Sequence, residues 1–431
     1  MENYQVPRGT QDILGEDIKK WHYLEELIRE FATVYDYEEI RTPIFEHSEV
    51  FSRENDSSDM VNKEMYTFLD NGDRSLTLKP EGTAGIIRSY VENKLYASAD
   101  QPYKCYYVAP AFRYERPQKG RMRIHHQFGI EIIGIKNPII DVELITLGYS
   151  FVKAVGLKDI KVLINTLGDE KSRSDYKAAL VEYFKPHIEG FCGDCQRRYR
   201  QNPLRILDCK IDKDRPAMKN APKLSDYLSE DSKAYFKQVL NGLDELEIGY
   251  EIDEKLVRGL DYYTDTVFEV VNVNPAMGSQ ATIFGGGRYD DLVEYFGGPP
   301  LSGIGYGMGI ERLLVACESE GIEIPLEEGL DVYIMPMKPE YQIKALTLAT
   351  ECRAHGYSTD LDYLGRSLKA QFKTVERKKA KVVLILGEDE IKEKTVTLKR
   401  IETQTNITIK EEEMITQLDE WFSEVEDEEN A

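Results

Sequence analysis

Two strand-like runs form the clearest pattern of hydrophobic and polar positions along the chain. They span residues 106–112 and 127–133 and are rich in β-branched and aromatic side chains. Successive side chains of a strand point to opposite faces, which divides the second run into two sets. The apolar set is Phe128, Ile130 and Ile132, and the polar set is Gln127 and Glu131. The pattern predicts a β-hairpin with one face for a core and one face for a site.

Helical periodicity and turn signals predict the elements around this hairpin. Apolar residues recur at three- and four-residue spacing from Trp21 to Tyr35, which is typical of an amphipathic helix. Residues 38–45 are strand-like but are interrupted by Pro43. The other elements predicted before residue 170 are strands at 66–69, 75–78 and 160–165 and helices at 84–95 and 141–155. Residues 170–245 carry helical patterns and few strand signals, which predicts a helical insertion between two parts of one sheet domain.

Glycine-rich strands follow the predicted insertion. Strand character returns over 256–270, three glycines precede Arg288, and glycine occupies every second position from Gly303 to Gly309. Alternating glycines leave one strand face as bare backbone, which a ligand can approach closely. Neither run has the G-x-G-x-x-G spacing of a dinucleotide-binding turn, and no Walker A sequence occurs. A nucleotide bound here would be held by an antiparallel sheet and its arginines.

The periodicity changes again after Asp331, where short strands and helices alternate. Strands are predicted at 332–335, 357–361 and 382–386, with helices at 339–355 and 367–379. The fold class expected is an α+β catalytic domain on an antiparallel sheet over 1–325, with the helical insertion at 170–245, and a C-terminal α/β domain over 326–431. A basic patch of the last domain contains Lys369, Lys373, Arg377, Lys378, Lys379 and Lys381.

Charge and composition narrow the functional classes. The 431 residues carry a formal net charge of −22, yet the loop of the predicted hairpin gathers Arg116, Lys119, Arg121 and Arg123. Arginine holds phosphate oxygens in bidentate geometry, so a cationic loop on an acidic chain favours a phosphate-bearing ligand. A solvated basic tip is the alternative. No segment approaches the roughly 20 apolar residues that cross a bilayer, and the start lacks a targeting pattern, so a cytoplasmic protein is expected.

Cysteines and cations of the predicted insertion allow more than one interpretation. Six cysteines in so long a chain indicate free thiols in a reducing compartment. Cys192, Cys195 and Cys209 offer three ligands, but a structural zinc site normally uses four and no histidine follows at the usual spacing, so no metal site is expected. The arginines and lysines between 197 and 219 suit either a nucleic-acid surface or a solvated helical lid.

Several motifs resemble those of class II aminoacyl-tRNA synthetases in their histidyl form. Motif 2 is similar to Arg113-Tyr114-Glu115-Arg116-Pro117-Gln118-Lys119-Gly120-Arg121, and motif 3 is similar to the segment from Gly305 to Arg312. The two histidine-specific signatures resemble Arg258-Gly259-Leu260-Asp261-Tyr262-Tyr263 and Gly286-Gly287-Arg288-Tyr289-Asp290. Arg41-Thr42-Pro43 lies where motif 1 belongs. The resemblance to histidyl-tRNA synthetases covers essentially the whole chain.

The resemblance implies an ATP-dependent ligation of histidine to tRNA. Histidine's carboxylate would attack the α-phosphate of ATP, with Arg113 and Arg258 as catalytic residues and Mg²⁺ neutralising the outgoing phosphates. The ATP-binding residues implied are Arg113, Glu115, Arg121, His125 and Arg312. The chain departs from the usual motif at Met122 and at His125, where a phenylalanine often stacks beneath adenine, and an imidazole can still stack there.

Histidine, tRNA and a second subunit are the further partners that the resemblance implies. The histidine-binding residues would be Glu81, Gly82, Thr83, Gln127, Glu131, Arg258, Tyr262, Tyr263 and Tyr289. From the sequence alone, Thr83 is about as well explained as the cap of the helix that begins there. Arg116 and Gln118 would meet the acceptor end of tRNA(His), and the C-terminal domain would contact the anticodon. A homodimer with no membrane association is expected.

Two alternative functions belong to other classes. The chain could be a catalytically silent paralogue that acts as the regulatory subunit of ATP phosphoribosyltransferase in histidine biosynthesis. Such paralogues usually lack both the C-terminal domain and the Arg258 signature, and this chain has both. A plain nucleic-acid-binding module would leave the residues expected around histidine unexplained.

Overall fold

The hairpin predicted at the centre of the chain belongs to a large mixed sheet. The computed structural model describes residues 4–52, 60–207, 209, 211–258, 262–326 and 329–429. The chain divides into one compact unit over Met1–Pro325 and another over Leu326–Ala431. The strands of the first unit are β1 Glu38–Glu39, β2 Phe45–His47, β3 Tyr66–Leu69, β4 Ser75–Leu78, β5 Tyr103–Phe112, β6 Ile124–Ile133, β7 Ile160–Thr166, β8 Tyr250–Ile252, β9 Thr264–Asn272, β10 Thr282–Tyr289 and β11 Gly303–Gly309.

Eight of these strands pair in the order β1-β5-β6-β11-β10-β9-β7-β8. The inner pairings are antiparallel, as expected, but β1 pairs with β5 and β8 pairs with β7 in parallel, so the sheet is mixed at its two edges. The strand expected over 38–45 is divided, because Pro43 has no N–H to donate. Its first part joins the large sheet as β1, and its second part pairs with β4 in a small sheet of order β2-β4-β3.

Helices cover one face of the large sheet. The helices of the first unit are α1 Glu16–Val34, α2 Thr83–Glu92, α3 Pro138–Ala154, α4 Glu170–Phe184, α5 Gly193–Gln201, α6 Pro216–Lys219, α7 Glu230–Glu245, α8 Leu292–Tyr295 and α9 Ile310–Glu320. Side chains of α1, α3, α7 and α9 share one hydrophobic cluster with the apolar face of β6. Phe128, Ile130 and Ile132 are fully buried in it, as the alternation predicted. The opposite face of β6 is therefore left for polar groups.

The start of α3 shows why a helix begins where it does. The Asn137 side chain accepts a hydrogen bond of 3.0 Å from the backbone N–H of Ile139, and Pro138 occupies the first turn, where no N–H is needed. Between β7 and β8 the described residues form helices and connections without a strand. Their own hydrophobic cluster contains Tyr176, Leu180 and Phe184 together with Cys195 and Cys209.

The second unit is a five-stranded sheet with helices. Its elements are β12 Val332–Pro336, α10 Gln342–Ala354, β13 Thr359–Leu361, α11 Leu368–Arg377, β14 Val382–Leu386, α12 Glu388–Glu393, β15 Thr395–Arg400, β16 Asn406–Lys410 and α13 Met414–Glu429. Strands β12, β13 and β14 are parallel and lie at the predicted places. The antiparallel hairpin of β15 and β16 was not predicted. Within the part of the chain that the structure describes, no helix has the length and apolar character needed to cross a membrane.

Candidate active site

A cleft over the polar face of the large sheet gathers most of the predicted site residues. Those that line it are Glu81, Thr83, Arg113, Glu115, Arg121, His125, Gln127, Arg258, Tyr262, Tyr263 and Arg312. They come from the start of α2, from the hairpin of β5 and β6, from the segment before β9 and from α9. The two guanidinium groups expected to act on one phosphate, Arg113 and Arg258, therefore face a shared cavity. Gly259, Leu260 and Asp261 lie outside the described residues.

Glycines of β10 provide the space for these side chains. A Cβ on Gly285 would lie 2.8 Å from a terminal nitrogen of Arg258, and one on Gly287 would lie 2.9 Å from the ring of Tyr263. Such contacts are closer than real Cβ atoms make, so any other residue would displace the side chain above it. Backbone carbonyls of β9 are as close, at 2.8 Å from a Cβ on Gly285 and 2.6 Å from one on Gly287, so the site and the strand packing both favour glycine here.

Each of the two central arginines is held by a partner. The Arg258 guanidinium forms an ion pair with Glu269, and the other oxygen of that carboxylate accepts a hydrogen bond of 2.9 Å from the Thr282 hydroxyl. Arg113 donates from Nε to the carbonyl of Pro80 at 2.8 Å. Glu269 was not predicted as a site residue. A single acid in the otherwise apolar middle of β9 is the sequence signal that would have indicated a cation facing it.

A second group of cations lies at the α9 side of the cleft. Arg312 donates from Nε to the carbonyl of Gly120 at 3.3 Å and from Nη1 to that of Thr282 at 3.0 Å. Burial, together with the positive charges of Arg121 and Arg113, lowers the pKa of Arg312 to about 10. Arg121 is also paired with the buried carboxylate of Glu115. Several guanidinium groups that line one cleft favour a polyanion such as a triphosphate.

His125 lines the same cleft as a neutral imidazole. Burial lowers its pKa well below the usual value, and the charges of Arg113 and Arg312 act in the same direction. A neutral ring can stack on a base without adding another positive charge. The neighbouring His126 has a different environment, since its Nδ1 lies 2.9 Å from a Glu311 oxygen and its backbone N–H is bonded to that carboxylate.

A buried acid lies under the floor of the cleft. Glu131 accepts hydrogen bonds from the Thr83 hydroxyl at 2.5 Å and from the Tyr289 hydroxyl at 2.6 Å. Burial raises the pKa of Glu131 to about 8 in spite of these two donors. Glu131 and Tyr289 are almost completely buried and do not line the cavity, and Gly82 packs against the ring of Tyr107, which does. These three predicted positions therefore support the cleft from behind.

Glu81, and not Thr83, caps the helix that begins at the cleft. The Glu81 carboxylate accepts the backbone N–H groups of Thr83 at 2.6 Å and of Ala84 at 2.9 Å. The alternative in which Thr83 is only a cap is thereby excluded, because its hydroxyl is bonded to Glu131. Both residues still face the cavity.

Gln127 offers an unused acceptor. Its side-chain oxygen is buried and has no hydrogen-bond partner among the described residues. Buried polar atoms are rarely left unpaired, so a ligand donor is the natural partner. Since Gln127 lines the cleft, that donor would belong to the molecule bound there.

Arg116 and Gln118 lie elsewhere. Both are exposed on the loop between β5 and β6, outside the cleft lining. The loop is anchored at its far end, where the backbone N–H of Arg123 donates to the carbonyl of Gly9 at 2.7 Å. Exposed positions beside an active cleft suit contacts with a large substrate.

The basic tract of the helical segment is less available than the sequence suggested. Arg198 and Arg205 are buried, with exposures of 7% and 5%. Arg198 donates to the carbonyl of Arg205 at 3.1 Å, and Arg205 donates to the carbonyl of Arg258 at 2.6 Å. For these two residues the interpretation as a nucleic-acid surface or a solvated lid is wrong, because their donors satisfy buried backbone groups.

Fold and site together define the class of protein. Three features are typical of a class II aminoacyl-tRNA synthetase. They are the sheet with antiparallel inner strands, the long hairpin that carries Arg113 and Arg121, and the glycine-rich strand that is followed by Arg312 on α9. A family model described as histidyl-tRNA synthetase matches residues 9–313, and one described as anticodon binding domain matches residues 331–421. The chain belongs to the histidyl-tRNA synthetase family.

Individual relatives agree with this assignment over nearly the whole length. The protein named histidine–tRNA ligase in Listeria innocua is 51% identical over 415 residues, which are 96% of this chain and 98% of that protein. The protein of the same name in Bacillus subtilis is 49% identical over 413 residues, which are 96% of this chain and 97% of the relative. A crystal structure of apo S. aureus histidyl-tRNA synthetase is 43% identical, with a TM-score of 0.83 over 96% of this chain and 100% of that one.

Proposed function

We propose that the cleft is where this chain, as a histidine–tRNA ligase, activates L-histidine with ATP and transfers it to tRNA(His). The observation that carries the proposal is the pair Arg113 and Arg258, which face one cavity beside the acceptor of Gln127 and the buried acid Glu131. Relatives about half identical over nearly full length have this name and not that of a regulatory subunit.

The first step joins histidine to AMP. A carboxylate oxygen of histidine forms a bond to the α-phosphorus of ATP, the bond to the bridging oxygen breaks, and pyrophosphate leaves with that electron pair. Negative charge grows on the non-bridging oxygens, where Arg113 and Arg258 donate hydrogen bonds. A preorganised donor at such a position is typically worth about 3 kcal/mol of transition-state stabilisation.

The remaining cations hold the nucleotide. Arg121 binds the triphosphate tail, Arg312 lies against adenine, and neutral His125 stacks on the base. Glu115 lines the cleft and Glu269 pairs with Arg258, which also lines it, and carboxylate oxygens of this kind suit Mg²⁺. They would hold the ion, which when bound supplies charge neutralisation to the outgoing phosphates.

Histidine is recognised at both ends. Gln127 and Glu81 accept hydrogen bonds from its α-ammonium group, while Thr83 is fixed by Glu131 next to them. Tyr262 and Tyr263, whose ring centres are 4.7 Å apart, enclose the imidazole, and Tyr289 supports Tyr262 from behind. A site that hydrogen-bonds polar atoms of its substrate rejects analogues lacking them by large factors, so a separate editing site is unnecessary.

The second step transfers the acyl group. A hydroxyl of the terminal ribose of tRNA attacks the carbonyl carbon of the adenylate, and AMP leaves. Arg116 and Gln118 contact the acceptor end. The second unit binds the anticodon through α11, where Lys369, Lys373 and Arg377 are exposed, and the ring of Tyr363 before this helix is exposed as well.

We also propose a cytoplasmic homodimer. The six cysteines are free, as expected in a reducing compartment. The small sheet exposes Phe45, Phe68 and Leu69 by 51%, 43% and 66%, and the rings of the two phenylalanines are in contact. Exposed apolar clusters of this kind mark association surfaces. Sedimentation of a Leu69→Asp variant tests it, and an unchanged dimer would contradict this surface.

Histidine-dependent exchange of labelled pyrophosphate into ATP tests the activity. We expect exchange with histidine alone among the twenty amino acids, followed by charging of tRNA(His). The regulatory alternative gives no exchange with any amino acid. Exchange with another amino acid would overturn the assignment of the pocket.

A further inference from the structure

The helical segment contains a cluster of side chains that can bind a metal and that have no role in the proposed reaction. Cys192, Cys195, Cys209 and Asp212 each present one ligand atom, and these four atoms all lie within 4.8 Å of one another. Cys195, Cys209 and Asp212 are buried, and Cys192 is half-buried. None of the four lines the cleft.

The spacing within the cluster fits tetrahedral coordination. Ligand bonds of about 2.3 Å to sulfur and about 2.1 Å to oxygen give edges of about 3.8 Å between two sulfurs and about 3.6 Å between sulfur and oxygen. The Sγ atoms of Cys192 and Cys209 are 3.7 Å apart, and Sγ of Cys209 is 3.6 Å from Oδ2 of Asp212. A disulfide would need about 2.05 Å. These two pairs already have the spacing of ligands on one ion, and the other pairs lie within 4.8 Å.

The order of ligands along the chain is also that of a zinc site. Cys192 and Cys195 are separated by two residues, and so are Cys209 and Asp212. Two such pairs are the usual arrangement in structural zinc sites, and here Cys192 precedes α5 while Cys195 lies in its first turn. Cysteine supplies three of the four ligands, and the carboxylate of Asp212 supplies the fourth.

Neighbouring groups orient the ligands. The backbone N–H of Asp212 donates to Sγ of Cys209 at 3.3 Å, and Arg215 donates from Nε to Oδ1 of Asp212 at 2.7 Å. Arg215 thus binds Oδ1, while Oδ2 accepts the backbone N–H of Cys192 at 2.9 Å and lies beside the thiol of Cys209. Supporting contacts of this kind fix ligand orientation in metal sites, and the guanidinium offsets the excess negative charge that three thiolates and a carboxylate bring.

We propose that Cys192, Cys195, Cys209 and Asp212 bind one Zn²⁺ ion. Four bonds to zinc form, the ion loses its water ligands, and the three thiols release their protons to solvent while the carboxylate is already ionised. With four protein ligands the site is closed and therefore structural. It fixes both ends of the segment that contains Arg198 and Arg205, and Arg205 in turn bonds the carbonyl of Arg258.

Metal content of the full-length protein is the primary test. After purification from zinc-supplemented cells and dialysis against a weak chelator, we expect about one zinc per chain. Cys195→Ser and Asp212→Asn should lower the content at least about tenfold, whereas Cys352→Ser, buried in the second unit, should leave it unchanged. A strong chelator should lower the thermal midpoint of the wild-type protein by about 5 °C or more.

Cobalt gives a spectroscopic readout that does not depend on activity. Co²⁺ exchanged into the wild-type protein should show thiolate charge-transfer absorption and the visible bands of a tetrahedral ion. An Asp212→Cys variant should retain the metal and increase the charge-transfer intensity by about one third, since a fourth thiolate is added. A folded wild-type protein without zinc, without a cobalt spectrum and with a chelator-independent midpoint would overturn the proposal.

Discussion

Arg205 donates a hydrogen bond of 2.6 Å from Nη1 to the backbone carbonyl of Arg258. Its side chain is buried, and its own carbonyl accepts a bond of 3.1 Å from Arg198. A chain of arginine contacts therefore connects the helical segment over 170–245 with a residue that faces the cleft. We therefore expect Arg205 to act as a positioning residue for Arg258.

Replacing Arg205 should slow the formation of the adenylate, although Arg205 itself is not proposed to contact a substrate. In Arg205→Ala the carbonyl of Arg258 loses its partner, so we expect a roughly tenfold fall in kcat for pyrophosphate exchange, since a buried unpaired polar group costs about 1–3 kcal/mol. The KM for ATP should change little. Arg205→Lys keeps a donor and should recover part of the rate. A loss confined to thermal stability, with normal kcat, would show a merely structural role.

Arg258→Ala tests the central residue of the proposed mechanism. We expect histidine-dependent exchange to fall by about 10²–10³-fold, the usual effect of losing one charge-stabilising donor. Arg258→Lys keeps the charge but not the planar guanidinium group, and its exchange rate should lie between those of the wild type and Arg258→Ala. Circular dichroism and the thermal midpoint check that the fold remains. Wild-type exchange in Arg258→Ala would remove this residue from the mechanism.

The elements that sequence predicts well are those with a strong local pattern. Alternation placed Phe128 in the core and Gln127 on the cleft face, because one face of β6 packs on helices and the other does not. The strand over 382–386 was also predicted with its correct bounds. The local sequence pattern is sufficient to predict a strand and its buried face where that face is completely buried.

Features set by long-range contacts were not predictable in this way. The sequence pattern does not show that the Glu131 side chain lies over Gly305 of the neighbouring strand β11 and accepts a hydrogen bond from Tyr289, which is distant in sequence. Arg205 looked like a surface cation because sequence does not show that a distant carbonyl needs its donor. The sequence does not indicate Asp212 as a partner of the three cysteines, because the four side chains come together only in the folded helical segment.

Glu131→Gln should change how stability depends on pH. Burial raises the pKa of Glu131 from 4.5 to about 8. Between these values the unfolded chain loses the proton and the folded chain keeps it, so the folded state binds more protons and its stability falls as pH rises. The contribution is complete below pH 4.5 and is lost as pH passes through about 8. Glutamine does not titrate.

Chemical unfolding at pH 5 and pH 8 measures this effect. At each pH, the free energy of unfolding of Glu131→Gln is subtracted from that of the wild type. This difference should be about 3 kcal/mol lower at pH 8 than at pH 5. A Glu→Gln change at exposed Glu182 is the control and should show no such trend. A relative stability that rises with pH would mean that the donors Thr83 and Tyr289 outweigh burial.

Substituting exposed lysines of α11 should affect the charging of tRNA but not the activation of histidine. Lys369→Ala and Lys373→Ala should each raise the KM for tRNA about threefold to tenfold and reduce the salt dependence of binding by about one ion, as expected for a phosphate contact. Histidine-dependent exchange should remain at the wild-type rate, since the lysines belong to the second unit. Lys410→Ala on the same unit is the matched control. Equal losses in exchange and charging would contradict an anticodon-binding role.

Gly286→Ala tests the close approach of strands under the cleft. Gly286 pairs with Tyr306 across β10 and β11, and a Cβ on it would lie 2.7 Å from Cα of Tyr306 and even closer to the carbonyl of Gly305. Both obstacles are backbone and cannot rotate away, so the strands must separate. We expect a loss of about 2 kcal/mol or more in the free energy of unfolding of the first unit, together with weaker histidine binding.

Gly249→Ala is the control, because a Cβ there meets nothing within 4 Å, and its free energy of unfolding should stay within about 0.5 kcal/mol of the wild type. Equal stability of the two variants would mean that β10 and β11 can accept a side chain between them, and that the glycines of this strand are not required by packing.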